Sequence, residues 1–426
     1  MKIFNYPARN KWDRLLQRPY IHNEDVTVIV KNILSEVKQR GDAALKDYTK
    51  QFQGYAGDLE FKNEEIERAG DSLPDELKKA IQVAAKNIER FHASQITAVE
   101  KIETMPGISC WRKSVGIERV GLYIPGGTAP LFSTVLMLGI PAKLAGCKEV
   151  ILYTPCNENG EVHAAILYCA KLVGIKKIYK AGGAQAIAAM AYGTATMKAV
   201  NKIFGPGNQY VTAAKQMVQM DGIAIDMPAG PSEVCVLADE SANASFIAAD
   251  LLSQAEHGKD SQVLLISDSQ ELINDCLNEL EIQLKKILRR DLATSSLNNS
   301  KAILVKNLSE GVELANRYAA EHLIVACKNA EEIAEQVTTA GSVFIGHFSP
   351  EAVGDYASGT NHTLPTNGFA KAYSGVSVDS FVKKITFQQL TQDGLSLIGD
   401  TVVAMAEAEG LDAHAKAITI RLNGFN

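Results

Sequence analysis

The spacing of apolar and polar residues changes once along the chain, from a helical period to short apolar runs that alternate with helices. Between residues 23 and 96 apolar side chains recur every three or four positions, as in the stripe from Val26 to Val37. This spacing predicts amphipathic helices, the first of which stops at Gly41. Before them lies a polar N-terminal arm, residues 1–22, which we expect to pack against another part of the protein or another subunit.

After Trp111, β-rich runs alternate with helical segments, a pattern that predicts parallel βαβ units. The first set of runs is VGLYI (120–124), EVILY (149–153), KKIYK (176–180), NKIF (201–204) and EVCVLA (233–238). The second set is SQVLLI (261–266), KAILV (301–305), HLIVA (322–326) and SVFIG (342–346). Two parallel α/β sheets are predicted, and the helix between the two sets is expected to join them at a cleft. From Ser377 onward the strand signal fades, so a helical tail is expected.

Composition narrows the classes of partner. The chain has 426 residues, enough for two or three domains. Its net charge of −6 argues against sequence-independent binding to nucleic acid. The N-terminus lacks the apolar core of a signal peptide, and no run of 18 apolar residues predicts a membrane span. The seven cysteines form no CxxC pair, so neither a disulfide frame nor a cysteine zinc site is expected. A cytoplasmic protein that binds small molecules is predicted.

Three predicted strands run directly into glycine-rich turns. These turns are Ile124-Pro125-Gly126-Gly127, Ala181-Gly182-Gly183-Ala184-Gln185 and Phe204-Gly205-Pro206-Gly207-Asn208. Ligands of open parallel sheets bind at the carboxyl ends of strands, where glycine admits a close backbone approach and a helix N-terminus favours phosphate. The turns therefore indicate a nucleotide site, but none of them is a GxGxxG fingerprint. Tight structural turns are an almost equal interpretation.

The segment LLSQAEHG (251–258) places Gln254 and His257 three residues apart, ahead of a glycine that ends a helix. Side chains at this spacing share one face of a helix. They could bind one cation, most plausibly Zn²⁺, if other segments supply a carboxylate and a further nitrogen. On spacing alone, two polar residues on the last turn of an amphipathic helix are the more frequent case.

This balance changes when the segment is taken with three others, because the four stretches occur together in one chain. They are SQAEHG (253–258), EH (321–322), GDYASGTNH (354–362) and AEGLDAH (408–414). With VGLYIPGGTAPLFSTVLML, AGGAQAIAA, KIFGPGN and IDMPAGPSEV, they make the sequence resemble the histidinol dehydrogenase family over nearly its whole length. The resemblance implies two Rossmann-like parallel α/β domains with an N-terminal helical arm and a C-terminal helical tail.

Four parts of the chain are predicted on this basis. They are an N-terminal arm (1–22), a discontinuous α/β domain with the metal and catalytic residues (23–121 and 232–376), an inserted Rossmann-like nucleotide-binding domain (122–231), and a C-terminal helical tail that contacts the other subunit of a homodimer (377–426).

The family reaction is the four-electron oxidation of L-histidinol to L-histidine through L-histidinaldehyde, with NAD as the acceptor. The resemblance implies that Gln254, His257, Asp355 and His414 bind one Zn²⁺, and that Tyr123, Gln185 and Asn208 contact NAD. It implies substrate contacts at Ser232, His322, His362 and Glu409 in addition to the metal ligands. His322 is the implied general base and Glu321 the residue that activates water for the aldehyde step, with Glu409 and His414 contributed by the partner subunit.

Two other classes of protein share some of these features. A different zinc alcohol dehydrogenase would use the same cofactor and metal, but usually has thiolate ligands and yields one NADH per alcohol. A binding protein could use zinc as a structural clamp between domains, in which case four ligands would close the site. The dipeptide Glu321-His322 by itself would be an ordinary surface feature, and only its context indicates catalysis.

Overall fold

A computed structural model describes residues 1–18, 24–126, 130–228 and 230–424. The described strands are β1 (Lys2–Asn5), β2 (Lys101–Met105), β3 (Ile108–Gly116), β4 (Arg119–Tyr123), β5 (Glu149–Tyr153), β6 (Lys177–Tyr179), β7 (Lys202–Phe204), β8 (Ala224–Ile225), β9 (Glu233–Ala238), β10 (Gln262–Ser267), β11 (Lys301–Leu304), β12 (His322–Ala326), β13 (Ser342–Ile345) and β14 (Val382–Leu390).

The described helices are α1 (Trp12–Leu15), α2 (Glu24–Arg40), α3 (Asp42–Gln53), α4 (Asn63–Arg68), α5 (Asp75–Ala93), α6 (Phe132–Leu144), α7 (Ala164–Val173), α8 (Gly183–Tyr192), α9 (Gln209–Met220), α10 (Ala244–Ala255), α11 (Gln270–Leu284), α12 (Arg290–Asn298), α13 (Leu308–Tyr318), α14 (Ala330–Ala334), α15 (Glu351–Tyr356), α16 (Gln392–Ala408) and α17 (Asp412–Asn423). Short 3-10 turns cover Arg9–Lys11, Phe369–Lys371 and Val378–Phe381.

Two parallel sheets form the framework, as predicted. One has six strands in the order β1-β11-β10-β9-β12-β13, and the other has five in the order β6-β5-β4-β7-β8. Every strand pair in both sheets is parallel. Strands β9, β10 and β12 are buried along their whole length, which is why their sequences are continuous apolar runs rather than alternating ones.

The predicted position of helix α10 between the two sheets is wrong. This helix connects β9 to β10, and these strands pair side by side in the six-stranded sheet, with Gln262 opposite Glu233. It is therefore an ordinary crossover within one sheet. The sequence could not distinguish the two cases, because a strand buried on both faces looks the same whichever sheet it joins.

The N-terminal arm packs against the rest of its own chain. Strand β1 extends the six-stranded sheet by pairing with β11. Trp12 follows it, fully buried in the core on one face of that sheet, and its indole N–H donates to the carbonyl of Pro7 at 2.9 Å. One of the two expected outcomes for the arm is thus confirmed for its described residues.

The described chain separates into two compact units. One comprises Met1–Gln95 and Ile117–Phe381, and the other comprises Ile96–Gly116 and Val382–Asn426. Within the first, helix α2 packs on the helices of the five-stranded sheet, although the sequence grouped residues 23–121 with the other sheet. The predicted domain boundaries stay a prediction.

The second unit contains the expected C-terminal helices and, ahead of them, a strand that was not predicted. Its strand β14 pairs with β3 in a three-stranded antiparallel sheet completed by β2, and helices α16 and α17 follow it. Eight of the nine residues of β14 are exposed. A strand without a buried face lacks the strong apolar alternation by which strands are recognised.

Candidate active site

Glu321 and His322 lie at the start of β12, in the middle of the six-stranded sheet, and both are buried. The neighbouring strand β9 begins at Glu233, whose backbone N–H donates to Glu321 Oε2 at 2.8 Å. The carbonyl oxygen of the same residue lies 3.2 Å from His322 Nδ1. The backbone of Glu233 thus holds the side chains of both Glu321 and His322. A proton on Nδ1, assigned from this contact, leaves Nε2 as the acceptor of the neutral ring.

Burial and charge act on this pair in opposite directions. Burial raises the pKa of Glu321 to about 8, because the surroundings disfavour a carboxylate charge. Burial also lowers the pKa of His322, but the charges of Glu321, Glu351 and Asp355 outweigh it and raise that pKa to about 10. His322 Nε2 is fully buried and lies 3.3 Å from Asp355 Oδ1. The ring is therefore held at Nδ1 by the Glu233 carbonyl, while Nε2 faces the carboxyl group of Asp355.

Asp355 lies among three histidines. Its Oδ1 is 3.3 Å from His322 Nε2, and its backbone carbonyl is 2.8 Å from His362 Nδ1. The other ring nitrogen of His362 is 3.0 Å from the hydroxyl of Thr134. Burial raises the pKa of Asp355, but the hydrogen bond and charge of His322 and the charges of His362 and His257 lower it overall. Asp355 is thus favoured as a carboxylate, the form that a metal ion binds.

The side-chain amide of Gln254, near the end of α10, is buried against Glu351. When its nitrogen faces Glu351, it donates to that carboxyl group at 3.2 Å, and its oxygen accepts from the Glu233 N–H at 3.3 Å. This orientation is the one that satisfies both ends of the amide. Burial raises the pKa of Glu351 well above its usual range.

His257 follows the helix rather than lying on its last turn, since α10 ends at Ala255. Its backbone N–H still donates to the carbonyl of Gln254 at 3.3 Å, which keeps the two residues together. The residue is exposed to solvent, so the desolvation that lowers its pKa is partial. The negative charge of Asp355 opposes this lowering of the pKa.

The predicted zinc ligands divide between the two compact units. Among the described residues, no group of three or more His, Cys, Asp or Glu side chains is placed to hold a metal ion. The predicted ligands in the first unit are one carboxylate, Asp355, one imidazole, His257, and the amide of Gln254, which are acceptable but incomplete zinc ligands. His414 begins α17 and Glu409 follows α16, both in the second unit and both exposed. The donor set therefore fits zinc if a further nitrogen ligand is added.

The glycine turns lie at the carboxyl ends of strands in the five-stranded sheet. The hydroxyl of Tyr123, at the end of β4, accepts the backbone N–H of Gly183 at 3.0 Å. Gln185 is buried in the first turn of α8, and Gly183 before it has a left-handed φ of 70°. Asn208 begins α9, where its side-chain oxygen caps the N–H groups of Tyr210 and Val211. Tyr123 and Gln185 thus meet at one turn, while Gly127 of the first turn lies outside the described residues.

Ser232 immediately precedes β9 and is half-buried. Its carbonyl accepts the backbone N–H of Gln262 at 3.2 Å. This position places it one residue before Glu233, whose backbone holds the Glu321–His322 pair.

Several residues of this region were not predicted. His92 is fully buried, with Nε2 3.3 Å from the amide nitrogen of Asn361. Asn361 also donates to the carbonyl of Met137 at 2.6 Å, so it anchors the segment that carries His362. Glu351 was also missed, although it lies four residues before Asp355 on the short helix α15, a spacing that aligns side chains on one face. Nothing local in the sequence marked His92, because its partner is distant along the chain.

Comparison with known proteins decides the family. The family model described as histidinol dehydrogenase matches residues 16–422. The chain belongs to the histidinol dehydrogenase family. The histidinol dehydrogenase of Bacteroides thetaiotaomicron is 57% identical over 424 residues, which is 99% of each chain. That of Aliivibrio fischeri is 51% identical over 414 residues, covering 96% of this chain and 93% of its own.

A solved structure agrees with the sequence comparisons. The crystal structure of histidinol dehydrogenase from Elizabethkingia anophelis matches with a TM-score of 0.98 and 53% identity, over 100% of this chain and 99% of that chain. The protein is thus an oxidoreductase with the α/β fold of this family. In the part of the chain that the structure describes, none of the helices has the length and apolar character needed to cross a membrane.

Gly341, just before β13, provides a test of how tightly the Glu321 backbone is held. A Cβ atom at Gly341 would lie 2.5 Å from the Glu321 carbonyl oxygen, so Gly341→Ala should displace that backbone. We expect a loss of about 1–3 kcal/mol in the free energy of unfolding and a fall in dehydrogenase activity of about tenfold or more. Urea unfolding and steady-state kinetics measure the two effects.

The matched control is Gly346→Asn, at the other end of β13. Gly346 has a left-handed φ of 89°, which asparagine tolerates, and no atom lies within 4 Å of an added Cβ. Activity should be unchanged. A fully active Gly341→Ala protein would contradict the close approach.

Proposed function

We propose that this protein oxidises L-histidinol to L-histidine through L-histidinaldehyde, the last step of histidine biosynthesis, with NAD as the hydride acceptor and zinc as the bound metal. Family membership supports the substrate and the step. The observation that carries the mechanism is the buried pair Glu321 and His322, held by one backbone residue beside Asp355.

His322 acts as the general base of the alcohol step. Its Nδ1 is held by the Glu233 carbonyl, so Nε2 takes the hydroxyl proton of the substrate. Gln254, His257, Asp355 and His414 would hold Zn²⁺, which would supply a positive charge for binding the substrate nitrogens and for offsetting the charge of Asp355, which otherwise favours a protonated His322. NAD⁺, when bound at the glycine turns, accepts the hydride.

Glu321 serves the aldehyde step. A carboxylate in a desolvated position is a stronger base than one in water, as the raised pKa of about 8 indicates. It accepts a proton from water as that water adds to the aldehyde carbon. The hydrated carbon then carries a hydroxyl group again. After releasing its first proton, His322 takes this hydroxyl proton, while a second NAD⁺ would accept the hydride and the carboxylic acid forms.

The remaining site residues bind and orient the metal, the cofactor and the substrate. We assign zinc to Gln254, His257, Asp355 and His414, NAD to Tyr123, Gln185 and Asn208, and substrate to Ser232, His322, His362 and Glu409 together with the metal ligands. The described contacts that support these assignments are those of Asp355 with His322 and His362, and of Tyr123 with the Gly183 turn.

Glu321→Gln should separate the two half-reactions. An amide cannot take a proton from water, so the first oxidation proceeds while the aldehyde step is crippled. We expect the wild type to form two NADH per L-histidinol consumed, and the variant to fall toward one, with aldehyde accumulating. Absorbance of NADH and trapping of the aldehyde measure both quantities.

Glu335→Gln is the matched control, since Glu335 is an exposed residue at the end of α14. It should keep both half-reactions. Equal losses of the alcohol and aldehyde steps in Glu321→Gln would contradict the assigned role.

Removal of the metal should stop turnover without unfolding the protein. The proposed ligands come from separate elements, α10, α15 and α17, and the first two are attached to a sheet with its own buried core. Chelator treatment should abolish activity, leave the far-ultraviolet circular dichroism spectrum unchanged, and be reversed by Zn²⁺. Full activity in protein shown by elemental analysis to be metal-free would rule out the zinc requirement.

The proposal includes a homodimer with shared sites. In the second unit, apolar side chains are exposed: Leu397 is 57%, Met405 62% and Ile420 68% accessible. Helix α17 buries only Ala415 among its residues. Exposed apolar surface of this kind is typical of a face that a partner covers. His414 and Glu409 belong to this unit, and we assign them to the site of the partner subunit.

Mixed dimers test the shared site. In a dimer of Glu321→Gln and His414→Ala chains, one site receives both lesions and the other receives none. With random pairing about half the dimers are mixed, so co-refolding the two inactive variants should restore roughly a quarter of wild-type activity. Sites built within one chain predict no recovery. Inactive material that contains mixed dimers, as shown by differently tagged subunits, would overturn the shared-site arrangement.

A further inference from the structure

The N-terminal arm carries a side chain that reaches the supports of the Glu321–His322 pair. We propose that Arg18 is a positioning residue for this pair, acting through Glu233 and through the end of helix α13. The inference rests on the roles proposed above for Glu321 and His322. It gives the arm a part in the reaction, although Arg18 touches neither of the two side chains that it positions.

The guanidinium group of Arg18 forms a forked ion pair with the carboxylate of Glu233. Nε donates to Oε1, and Nη2 donates to Oε2 at 2.8 Å. The side chain of Glu233 is only 3% exposed, and the same Oε1 also accepts the backbone N–H of Asn367 at 2.9 Å. The backbone of Glu233 supplies the N–H bound by Glu321 and the carbonyl next to His322. Contacts that fix the side chain of Glu233 therefore also fix the backbone groups that hold the pair.

Arg18 also caps the helix that leads into the pair. Its Nη2 donates to the carbonyl of Tyr318 at 2.8 Å and to that of Ala319 at 3.3 Å, and the guanidinium lies 4.1 Å from the centre of the Tyr318 ring. A cation suits the unsatisfied carbonyls at a helix C-terminus. Ala319 has a left-handed φ of 54°, and Glu321 follows two residues later. One side chain thus fixes both strand starts, β9 and β12.

A buried carboxylate without its partner does not stay where it is. Removing Arg18 leaves Glu233 desolvated and unpaired, a strongly unfavourable state that is relieved by moving the side chain toward water. The Glu233 peptide group would move with it, and Glu321 would lose a hydrogen-bond donor at its fixed position. Small displacements of catalytic groups reduce turnover far more than they reduce binding.

Arg18→Ala is the first test. We expect kcat for histidinol oxidation to fall about 10- to 100-fold, with KM for histidinol changed by no more than about twofold. A merely structural role would lower the unfolding midpoint in urea but leave kcat of the folded protein near its original value. Arg18→Lys keeps a charge but cannot form the fork, so it should recover stability more than kcat.

Chemical rescue gives a readout that a general loss of stability would not move. Arg18 lines a surface cavity of about 450 Å³ with Asp13, Gln17 and Arg317, so the space left by Arg18→Ala is open to a small cation. Guanidinium at low millimolar concentration should raise kcat of Arg18→Ala several-fold, whereas tetramethylammonium, which donates no hydrogen bonds, should not.

Arg317→Ala is the matched control, because Arg317 lines the same cavity but pairs with Asp13 on the surface, at 2.6 Å from Oδ1 and Oδ2. It should retain wild-type kcat and show no response to guanidinium. Arg18→Ala with unchanged kcat would overturn the proposal. So would a loss of activity that guanidinium cannot restore in protein that circular dichroism shows to be folded. If Arg18→Ala does not fold, unchanged kcat in Arg18→Lys overturns it.

The double variant Arg18→Ala with Glu321→Gln separates this proposal from the roles on which it rests. If Arg18 acts through Glu321, its removal should lower the aldehyde step in wild-type background but add little to the loss in Glu321→Gln. Additive losses would contradict the action of Arg18 through Glu321. A fully active Glu321→Gln protein would instead reject the assigned role of Glu321, whatever the effect of Arg18.

Discussion

The peptide group of Glu233 is the point on which the candidate active site depends. Parallel pairing of β9 and β12 sets His322 opposite Val234, which brings the backbone of the preceding residue level with the Glu321–His322 pair. Both strands are buried on both faces, so a shift in register would disrupt the close packing of side chains on each face. The geometry of the pair is therefore fixed by the packing of the sheet rather than by a flexible loop.

Charge is the second constraint, because the site gathers four carboxyl groups, Glu233, Glu321, Glu351 and Asp355, into buried surroundings. Each carboxyl group is stabilised in a different way. An arginine neutralises Glu233, a backbone N–H binds Glu321, and histidines surround Asp355. Glu351 has the amide of Gln254 and a strongly raised pKa, which favours its neutral form. A divalent cation beside Asp355 would reduce the remaining excess of negative charge.

The sequence predicted the parts of the structure that are determined locally. Every predicted strand of the two parallel sheets is present within one or two residues at each end, because strands buried on both faces are continuous apolar runs. Contacts between segments that are far apart along the chain leave no such pattern in the sequence. Strand β9 was separated from its neighbour β10, and nothing near His92 in the sequence indicates its contact with Asn361, far along the chain.

The same limit explains why Arg18 was not recognised. It lies 215 residues before Glu233, in an arm that looked polar, and nothing near it in sequence identifies a partner. Glu321 and His322 were recognised by family resemblance, and their local sequence would have suggested a surface. Their burial follows from the strand that they begin, whereas their orientation follows from Glu233 on another strand.

The proposed zinc ligands show how site assembly would depend on folding. Gln254 and Asp355 lie on α10 and α15, which contact each other only in the folded chain, so this pair of ligands is not formed in the unfolded chain. His414 belongs to the other compact unit. If its site is the partner's, metal binding favours the dimer over separate chains, and zinc affinity rises with protein concentration. The exposed apolar residues of the second unit and the incomplete donor set of the first then have one common explanation, because the same association covers the surface and supplies the missing nitrogen.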